Sequence, residues 1–258
     1  MVPFGVLVFG SLGIGLTAAS GAVINQILDQ RLDAKMVRTK NRPMPTGRIK
    51  EGDAITFASA LGLLGVSILV FLVNPLTAIL TFASLIGYAV IYTVYLKRAT
   101  PQNIVIGGAA GAAPPLLGWT AVTNTVESFA LILFLIIFTW TPPHFWALAL
   151  AKREDYKKAG VPMLPVTHGS ELTKSFILYY TILLLLVSLL PFLTGNSGLF
   201  YLCGAAFLGG GFMYYTVKLK FAETRGISMK TFSYSISYLM ALFSFLLVDH
   251  YIPVFWPE

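Results

Sequence analysis

Three polar residues recur at four-residue intervals just after the first long apolar run of this 258-residue sequence: Asn25, Asp29 and Asp33. On an α-helix each lies about 40° around and about 6 Å along from the one before, so the three side chains share one face. Carboxylates held that close at the edge of an apolar run repel each other and resist desolvation, so the pattern favours a bound cation. Oxygen ligands of this kind suit a hard divalent ion such as Mg²⁺.

More basic residues accompany the two aspartates than are needed to neutralise them. They are Arg31, Lys35, Arg38, Lys40, Arg42 and Arg48. This surplus predicts an anionic ligand, and guanidinium forks that follow an oxygen-rich helix suit a magnesium-bound diphosphate. The charges alone leave an alternative open, in which Asp29 and Asp33 form only i,i+4 pairs and the basic loop only orients the chain in a membrane.

A second segment of mixed charge contains Glu154 and Asp155. Its basic residues are Lys152, Arg153, Lys157 and Lys158. Asp155 is followed by PMLPVTHG at 162–169, much as Asp33 is followed by PMPTG at 43–47. The likeness predicts that residues 1–258 form one domain built from two related halves, about 1–122 and 123–258, with a site where they meet. The alternative is a solvated charge run.

The composition identifies the class of protein. Hydrophobic residues make up 56% of the chain and charged residues only 11%, with a mean hydropathy of +0.76, whereas a soluble domain carries about 25% charged residues. Runs long enough to cross about 30 Å of hydrocarbon predict eight spans, at about 2–24, 53–73, 76–96, 103–122, 128–150, 175–194, 198–217 and 232–252. We therefore expect an all-α, polytopic bundle of membrane helices.

The basic residues predict the orientation of these spans. All eighteen lie in four segments, 25–52, 97–98, 151–174 and 218–231, and the alternate loops have none. The positive-inside rule then directs the four segments to the cytoplasm. Met1 would lie on the opposite side, at the start of a span with no charge before it, so we expect that an earlier helix has been lost from the start of the chain.

One histidine lies within a predicted span. His144 follows Pro142 and Pro143, about 10 Å from the inner end of the fifth span. Prolines at that depth free backbone carbonyls, which is tolerated where helices border a cavity. An ionisable residue there indicates function, and His144 could ligate or orient a haem-like acceptor, although a hydrogen-bonded packing histidine is the alternative. His168, in the second loop, is a further candidate.

At this point the residues resemble a known group. The pattern N-x-x-x-D-x-x-x-D with a second acidic loop four spans later resembles the UbiA superfamily of intramembrane prenyltransferases. Within it, RTKNRPMPTGRI at 38–49, YLKRATPQNIVIGGAAGAAPPLLGW at 95–119 and TPPHFWALALAKREDYKKAGVPMLPVTHG at 141–169 resemble the protoheme IX farnesyltransferase family, also called haem O synthases. The resemblance implies a bundle of nine spans and transfer of a farnesyl group from farnesyl diphosphate to a vinyl group of haem B, giving haem O.

The resemblance also implies roles for individual residues. The catalytic acids would be Asp29, Asp33 and Asp155. Ligands of Mg²⁺ would be Asn25, Asp29, Asp33, Glu154 and Asp155, with Glu154 standing where the family commonly has aspartate. The diphosphate would be bound by Arg38, Arg42, Lys97, Arg98 and Lys157. His144 matches the histidine of the family's Pro-Pro-His-Phe segment, and with His168 it forms the predicted haem-binding set.

Three other functions stay open at this level. They are prenyl transfer to an aromatic or quinone precursor, transport, and a non-catalytic role in haem-dependent assembly. The expected partners are farnesyl diphosphate, haem B, the lipid bilayer and haem A synthase or a terminal oxidase under assembly, with no nucleic acid. The absence of an Arg-rich presequence favours a bacterial inner membrane, with the site loops facing the cytoplasm.

Overall fold

The computed structural model describes residues 2–37, 39–96, 99–222 and 224–255. Within these ranges eight helices are long and apolar enough to cross a membrane, and no strand occurs, which confirms the predicted all-α class and number of spans. They are Phe4–Leu28, Glu51–Leu72, Pro75–Leu96, Asn103–Thr123, Ser128–Ala151, Ser170–Leu193, Leu199–Phe221 and Ile227–Ile252. The first span and the last three extend beyond the predicted runs at one end, because helical hydrogen bonding continues into polar residues there. The protein is an integral membrane protein.

Several spans are broken into shorter helices, and short helices also lie in the loops. In chain order they are α1 Phe4–Leu28, α2 Gln30–Asp33, α3 Glu51–Leu72, α4 Pro75–Ile86, the π-helical α5 Gly87–Leu96, α6 Asn103–Ala112, α7 Pro114–Thr123, α8 Ser128–Ala151, α9 Arg153–Ala159, α10 Leu164–Thr167, α11 Ser170–Leu193, α12 Leu199–Phe221 and α13 Ile227–Phe255. Proline is the first residue of both α4 and α7. A backbone N–H at that position would have no acceptor within the helix, so its absence from proline costs no hydrogen bond.

The chain forms two compact units. The first, unit one, contains Met1–Phe134 and Glu154–Met163, and the second, unit two, contains Leu135–Arg153 and Leu164–Glu258. The acidic segment that begins at Glu154 therefore belongs to the same unit as Asn25, Asp29 and Asp33, although about 120 residues separate them in the sequence. The predicted division at 122 stays a prediction. Met1 lies outside the described residues.

Small residues let α1 lie directly against α3 in unit one. A Cβ atom built on Gly65 would lie only 2.8 Å from the carbonyl oxygen of Gly13, and the Ser20 hydroxyl donates to the carbonyl oxygen of Ala58 at 2.7 Å. In lipid, no hydrophobic force drives helices together. They associate instead through close backbone contacts and hydrogen bonds of this kind. The contact fixes α1 and therefore the last turn of α1, which carries Asn25.

Unit two has an aromatic core and a capped helix. Trp146, Tyr201 and Tyr238 are fully buried. The buried carboxylate of Asp249 accepts from the backbone N–H groups of Gly198 (2.6 Å) and Tyr201 (3.0 Å), at the start of α12. Backbone N–H groups in the first turn of a helix have no hydrogen-bond acceptor within that helix. The Asp249 carboxylate of α13 accepts from two such groups at the start of α12, and its negative charge lies at the positive end of the helix dipole.

Candidate active site

The acidic residues lie where α1 passes into α2. Asp29 departs from helical geometry (φ −92°, ψ 3°), yet its N–H still donates to the Asn25 carbonyl at 2.9 Å and the Asp33 N–H to the Asp29 carbonyl at 2.8 Å. The helical register therefore continues through the break. Asp29 is 1% exposed and Asp33 is 3% exposed, so both carboxylates are withdrawn from water on the same face.

Hydrogen bonds fix the orientation of the Asn25 amide. Its Nδ2 donates to Asp29 Oδ2 at 3.2 Å and to the Thr93 hydroxyl oxygen at 3.0 Å. Both acceptors are unambiguous, because a carboxylate only accepts and the Thr93 hydroxyl donates its own hydrogen to the Tyr88 carbonyl at 2.9 Å. The Oδ1 atom is the acceptor end of the same amide, and it is the atom of Asn25 that could serve as an oxygen ligand for a cation.

Asp33 is neutralised from the following loop. Arg42 Nη1 lies 2.8 Å from Asp33 Oδ2, in a salt bridge whose arginine side chain is 34% exposed and whose aspartate side chain is 5% exposed. The Thr39 hydroxyl donates to the Asp33 carbonyl at 3.0 Å, and Gln30 Nε2 donates to the Met44 carbonyl at 3.0 Å. The basic loop is therefore folded back onto α2, and the partner of Asp33 is nine residues away rather than an i,i+4 neighbour.

The π-helical segment α5 supplies two aromatic rings to the same region. Tyr88 and Tyr92 stack with centroids 5.8 Å apart and planes 10° from parallel, and both phenol groups lie close enough to Asp29 to interact with its charge. Gly107 on α6 makes room for this arrangement, because a Cβ atom there would collide with the Tyr92 ring. The wider π-helical turn, common at functional sites, thus brings Thr93 and the two rings to the end of α1.

The second acidic segment lies in the same unit but does not complete a carboxylate cluster. Asp155 is half-buried, and Glu154 and Lys157 are exposed. Tyr156 is buried and close enough to Tyr92 to interact with it electrostatically. Across the residues that the structure describes, no three His, Cys, Asp or Glu side chains could hold one metal ion together. The five-residue ligand set stays a prediction, and Arg38, Lys97 and Arg98 lie outside the described residues.

An apolar cavity of about 330 Å³ lies beside these aromatic residues in unit one. Tyr88 lines it, together with Gly21 and Ala22 of α1. Its far part is lined by Ile14 of α1 and Leu117 of α7. Along α1 it spans from about one turn before Asn25 back toward the start of the helix, so an apolar chain can extend from the polar end of α1 into the span.

His144 lies in unit two, where it is 7% exposed. Its ring stacks on Trp140 (centroids 4.2 Å apart) and on Phe232 (4.6 Å), and its Nδ1 lies 2.7 Å from the Ser235 hydroxyl. That hydroxyl donates its one hydrogen to the Phe232 carbonyl at 2.6 Å, so Nδ1–H of the neutral imidazole must be the donor to Ser235. The remaining nitrogen, Nε2, then carries the lone pair with which a histidine binds a metal.

The other predicted histidine has a different setting. His168 is exposed, and its Nδ1 lies 2.8 Å from the hydroxyl of Thr167. It follows α10 in unit two and precedes Gly169, whose φ of +84° ends the loop before α11. Its role in haem binding stays a prediction.

Sequence reasoning missed two residues that organise the site. Thr93 orients Asn25 from 68 residues away, and Ser235 sets the tautomer of His144 from 91 residues away. Each lies in an apolar span that contains several other serine or threonine residues, and such residues commonly bond to their own helix. The sequence therefore contains no local signal that separates them from other hydroxyl residues.

Sequence comparisons confirm the resemblance. A family model described as the UbiA prenyltransferase family matches residues 1–246. A relative from Nitrosococcus oceani named protoheme IX farnesyltransferase is 60% identical over 99% of this chain and 85% of its own length. A relative of the same name from Marinobacter nauticus is 61% identical over 96% of this chain and 82% of its own length.

Solved structures share the fold at low identity. A digeranylgeranylglyceryl phosphate synthase superposes with a TM-score of 0.82 at 22% identity, covering 97% of this chain and 87% of that one. A UbiA homolog from Archaeoglobus fulgidus, solved bound to GPP and Mg²⁺, superposes with a TM-score of 0.64 at 16% identity, covering 95% of this chain and 89% of that one. The helical bundle is therefore the fold of these proteins.

The salt bridge between Arg42 and Asp33 predicts a thermodynamic coupling. Arg42→Gln should lower the free energy of unfolding by about 1–2 kcal/mol, because a nearly buried carboxylate loses its charged partner. The loss is no larger because Arg42 is partly exposed, so water already weakens the ion pair. Adding Asp33→Asn should recover part of that loss, because the uncompensated charge is then removed. Thermal unfolding of the detergent-purified variants measures both, with Arg48→Gln in the same loop as the control. Additive effects of the two changes would contradict the coupling.

Proposed function

This chain belongs to the UbiA prenyltransferase family, and on that premise we propose that it transfers a farnesyl group from farnesyl diphosphate to a vinyl group of haem B, giving haem O. The observation that carries the proposal is the shared face of half-buried Asn25 and buried Asp29 and Asp33, which offers oxygen ligands beside basic residues at the end of a membrane helix. The relatives named protoheme IX farnesyltransferase support haem as the acceptor.

The donor set of the first acidic segment fits Mg²⁺. Asn25 Oδ1 and the carboxylate of Asp29 are hard oxygen ligands next to each other, and Asp33 adds a third with a neutralising arginine already at its side. Few protein ligands are needed, because Mg²⁺ keeps several waters and shares substrate phosphate oxygens. The UbiA homolog bound to GPP and Mg²⁺ supports this assignment. When bound, the ion would neutralise charge on the leaving diphosphate.

The residues of this chain then have distinct tasks during ionisation of the allylic C1–O bond. Arg42 holds the Asp33 carboxylate at 2.8 Å and remains partly exposed, so its other guanidinium N–H groups can donate to diphosphate oxygens. Lys157, in the same unit, supplies further positive charge. We propose the same role for Arg38, Lys97 and Arg98, the other members of the predicted diphosphate-binding set. Together these cations would stabilise the charge that develops on the leaving group.

The apolar cavity beside Tyr88 suits the farnesyl chain. Its lining is mostly apolar, with small and aliphatic residues beside Tyr88 and three hydroxyl residues, and it would bury the apolar tail of the substrate. The stacked rings of Tyr88 and Tyr92 lie near Asp29, where their π-faces can stabilise an allylic cation. The terminal carbon of the haem vinyl group bonds to that cation as the diphosphate leaves, and the positive charge moves to the vinyl carbon next to the ring. Water then adds to that carbon and releases a proton to solvent, which gives the hydroxyl group of the product.

His144 is the proposed haem ligand. Its Nδ1–H is committed to Ser235, so its Nε2 lone pair can bind or orient the haem iron. Trp140 and Phe232 stack on its two sides and fix the plane of the ring. This arrangement is also what a packing histidine needs, so the two interpretations are separated by haem binding rather than by geometry.

We place the protein in the bacterial plasma membrane, as its bacterial relatives suggest. The basic segments, including both acidic loops, would face the cytoplasm according to the positive-inside rule. Haem O would pass to haem A synthase or to a terminal oxidase under assembly. These partners are proposed from the expected product.

Replacement of Asp29 tests the metal assignment. Asp29→Asn keeps the shape of the side chain but removes its charge, and turnover should fall roughly 100-fold or more because a group that stabilises the leaving diphosphate is lost. Haem O formation and diphosphate release are measured together, with Asp53→Asn, an exposed aspartate of α3, as the control. Wild-type turnover by folded Asp29→Asn would contradict the role of Asp29.

Haem binding tests the role of His144. His144→Ala should weaken haem B binding at least tenfold, and Ser235→Ala should weaken it less, because it removes only the partner that sets the tautomer. Titration of the Soret band on the purified protein measures the affinity, and farnesyl diphosphate binding should not change. His250→Ala, an exposed histidine of α13, is the control. Wild-type haem affinity in His144→Ala would identify His144 as a packing residue.

A further inference from the structure

A second cavity, of about 440 Å³ and with both charged and apolar residues in its lining, lies at the charged end of α1 in unit one. One wall is the segment from Leu28 to Lys35, and the other is the turn formed by residues 159–161. Leu28 and Leu32 provide the apolar part of the first wall, and Arg31 and Lys35 provide its charge. None of the roles assigned to the site above uses this cavity.

The cavity lies on the other side of the acidic segment from the metal ligands. Arg31 lies on α2, two residues after Asp29 and two before Asp33, which places it about 200° around a helix from each aspartate. Lys35 lies in the turn that follows α2. Burial agrees, because the two aspartates are buried whereas Arg31 and Lys35 are exposed. A ligand bound by these two cations is therefore separate from the proposed diphosphate position.

The opposite wall is a rigid helix end. Gly160 has a φ of +70°, its N–H donates to the Lys157 carbonyl, and the Val161 N–H donates to the Tyr156 carbonyl, both at 3.1 Å. This pair of bonds is the Schellman motif, in which glycine takes the left-handed position after the last helical residue. Val161 and Tyr156 are both buried, as the hydrophobic contact of that motif requires. The cavity wall is thus held in place without a ligand.

The two cations of the cavity have no carboxylate partner among the described residues. Within the described ranges no Asp or Glu forms a salt bridge with Arg31 or Lys35, although the two lie an i,i+4 interval apart and repel each other. An anion between them would remove that repulsion and accept charge-assisted hydrogen bonds. Positive-inside anchoring explains basic residues near a span, but it does not explain a cavity between them and a rigid turn.

We infer that this cavity binds the phosphate headgroup of an anionic membrane lipid. Leu28 is the last residue of a membrane span, so the cavity lies at the level where lipid headgroups meet the hydrocarbon. Basic pockets between membrane helices bind such headgroups, and Leu28 and Leu32 are placed to contact the first part of an acyl chain. A free phosphate ion would use the cations but not the leucines.

Lipid titration of the detergent-purified full chain tests the inference. Native mass spectrometry should show one phosphatidylglycerol bound at least about tenfold more tightly than phosphatidylcholine. Arg31→Gln combined with Lys35→Gln should lower that affinity roughly 10- to 100-fold, because two charge-assisted hydrogen bonds are lost. Lys50→Gln, an exposed cation at the start of α3, should bind phosphatidylglycerol like the wild type.

Four results would overturn it, three of them from the wild type and the double variant and the fourth from a charge-conserving swap. The double variant could bind phosphatidylglycerol like the wild type, inorganic phosphate could displace the lipid at equal concentration, or farnesyl diphosphate could displace it and so assign the cavity to the substrate. The charge-conserving swap Arg31→Lys with Lys35→Arg separates lost binding from misfolding. It should retain most of the affinity, and loss of binding in the swap as well as in the double variant would count against the inference.

Discussion

Two carboxylates buried at the edge of a membrane helix are the constraint around which unit one is organised. Asp29 and Asp33 are almost wholly withdrawn from water, where an uncompensated charge is costly. The surrounding structure supplies the compensation: Arg42 returns from the loop to Asp33, and Asn25 donates to Asp29. Close packing of α1 on α3 keeps these groups in position, because the small residues between the helices leave α1 little freedom to shift.

The same constraint explains why the local structure departs from regular helices. The break at Asp29 and the π-helical turns of α5 both occur next to the acidic face, and α5 brings Thr93 to Asn25 and the stacked tyrosines to Asp29. The apolar cavity begins at Tyr88. Unit one therefore contains, in order along α1, an apolar cavity, two aromatic rings and a polar end with two carboxylates. The proposed substrate has a matching order of parts: an apolar chain, the allylic carbon that ionises and the diphosphate.

The sequence predicted what depends on local periodicity. Eight spans follow from hydropathy, and the shared face of Asn25, Asp29 and Asp33 follows from their four-residue spacing, which survives the helix break because the backbone hydrogen bonds continue. Contacts between distant side chains could not be predicted in the same way. The pairing of Arg42 with Asp33, and the tautomer that Ser235 imposes on His144, depend on tertiary packing that brings together residues 9 and 91 positions apart.

Conversion of haem B is the most direct test of the proposed reaction. The purified 258-residue chain, reconstituted in lipid, is incubated with haem B, farnesyl diphosphate and Mg²⁺, and haem O is measured by mass spectrometry with and without EDTA. We expect haem O and diphosphate in equal amounts, both abolished by EDTA and restored by added Mg²⁺. Prenyl transfer to an aromatic acid but not to haem B, by the same preparation, would contradict haem as the acceptor. Haem O formation unaffected by EDTA would contradict the assignment of the acidic face to Mg²⁺.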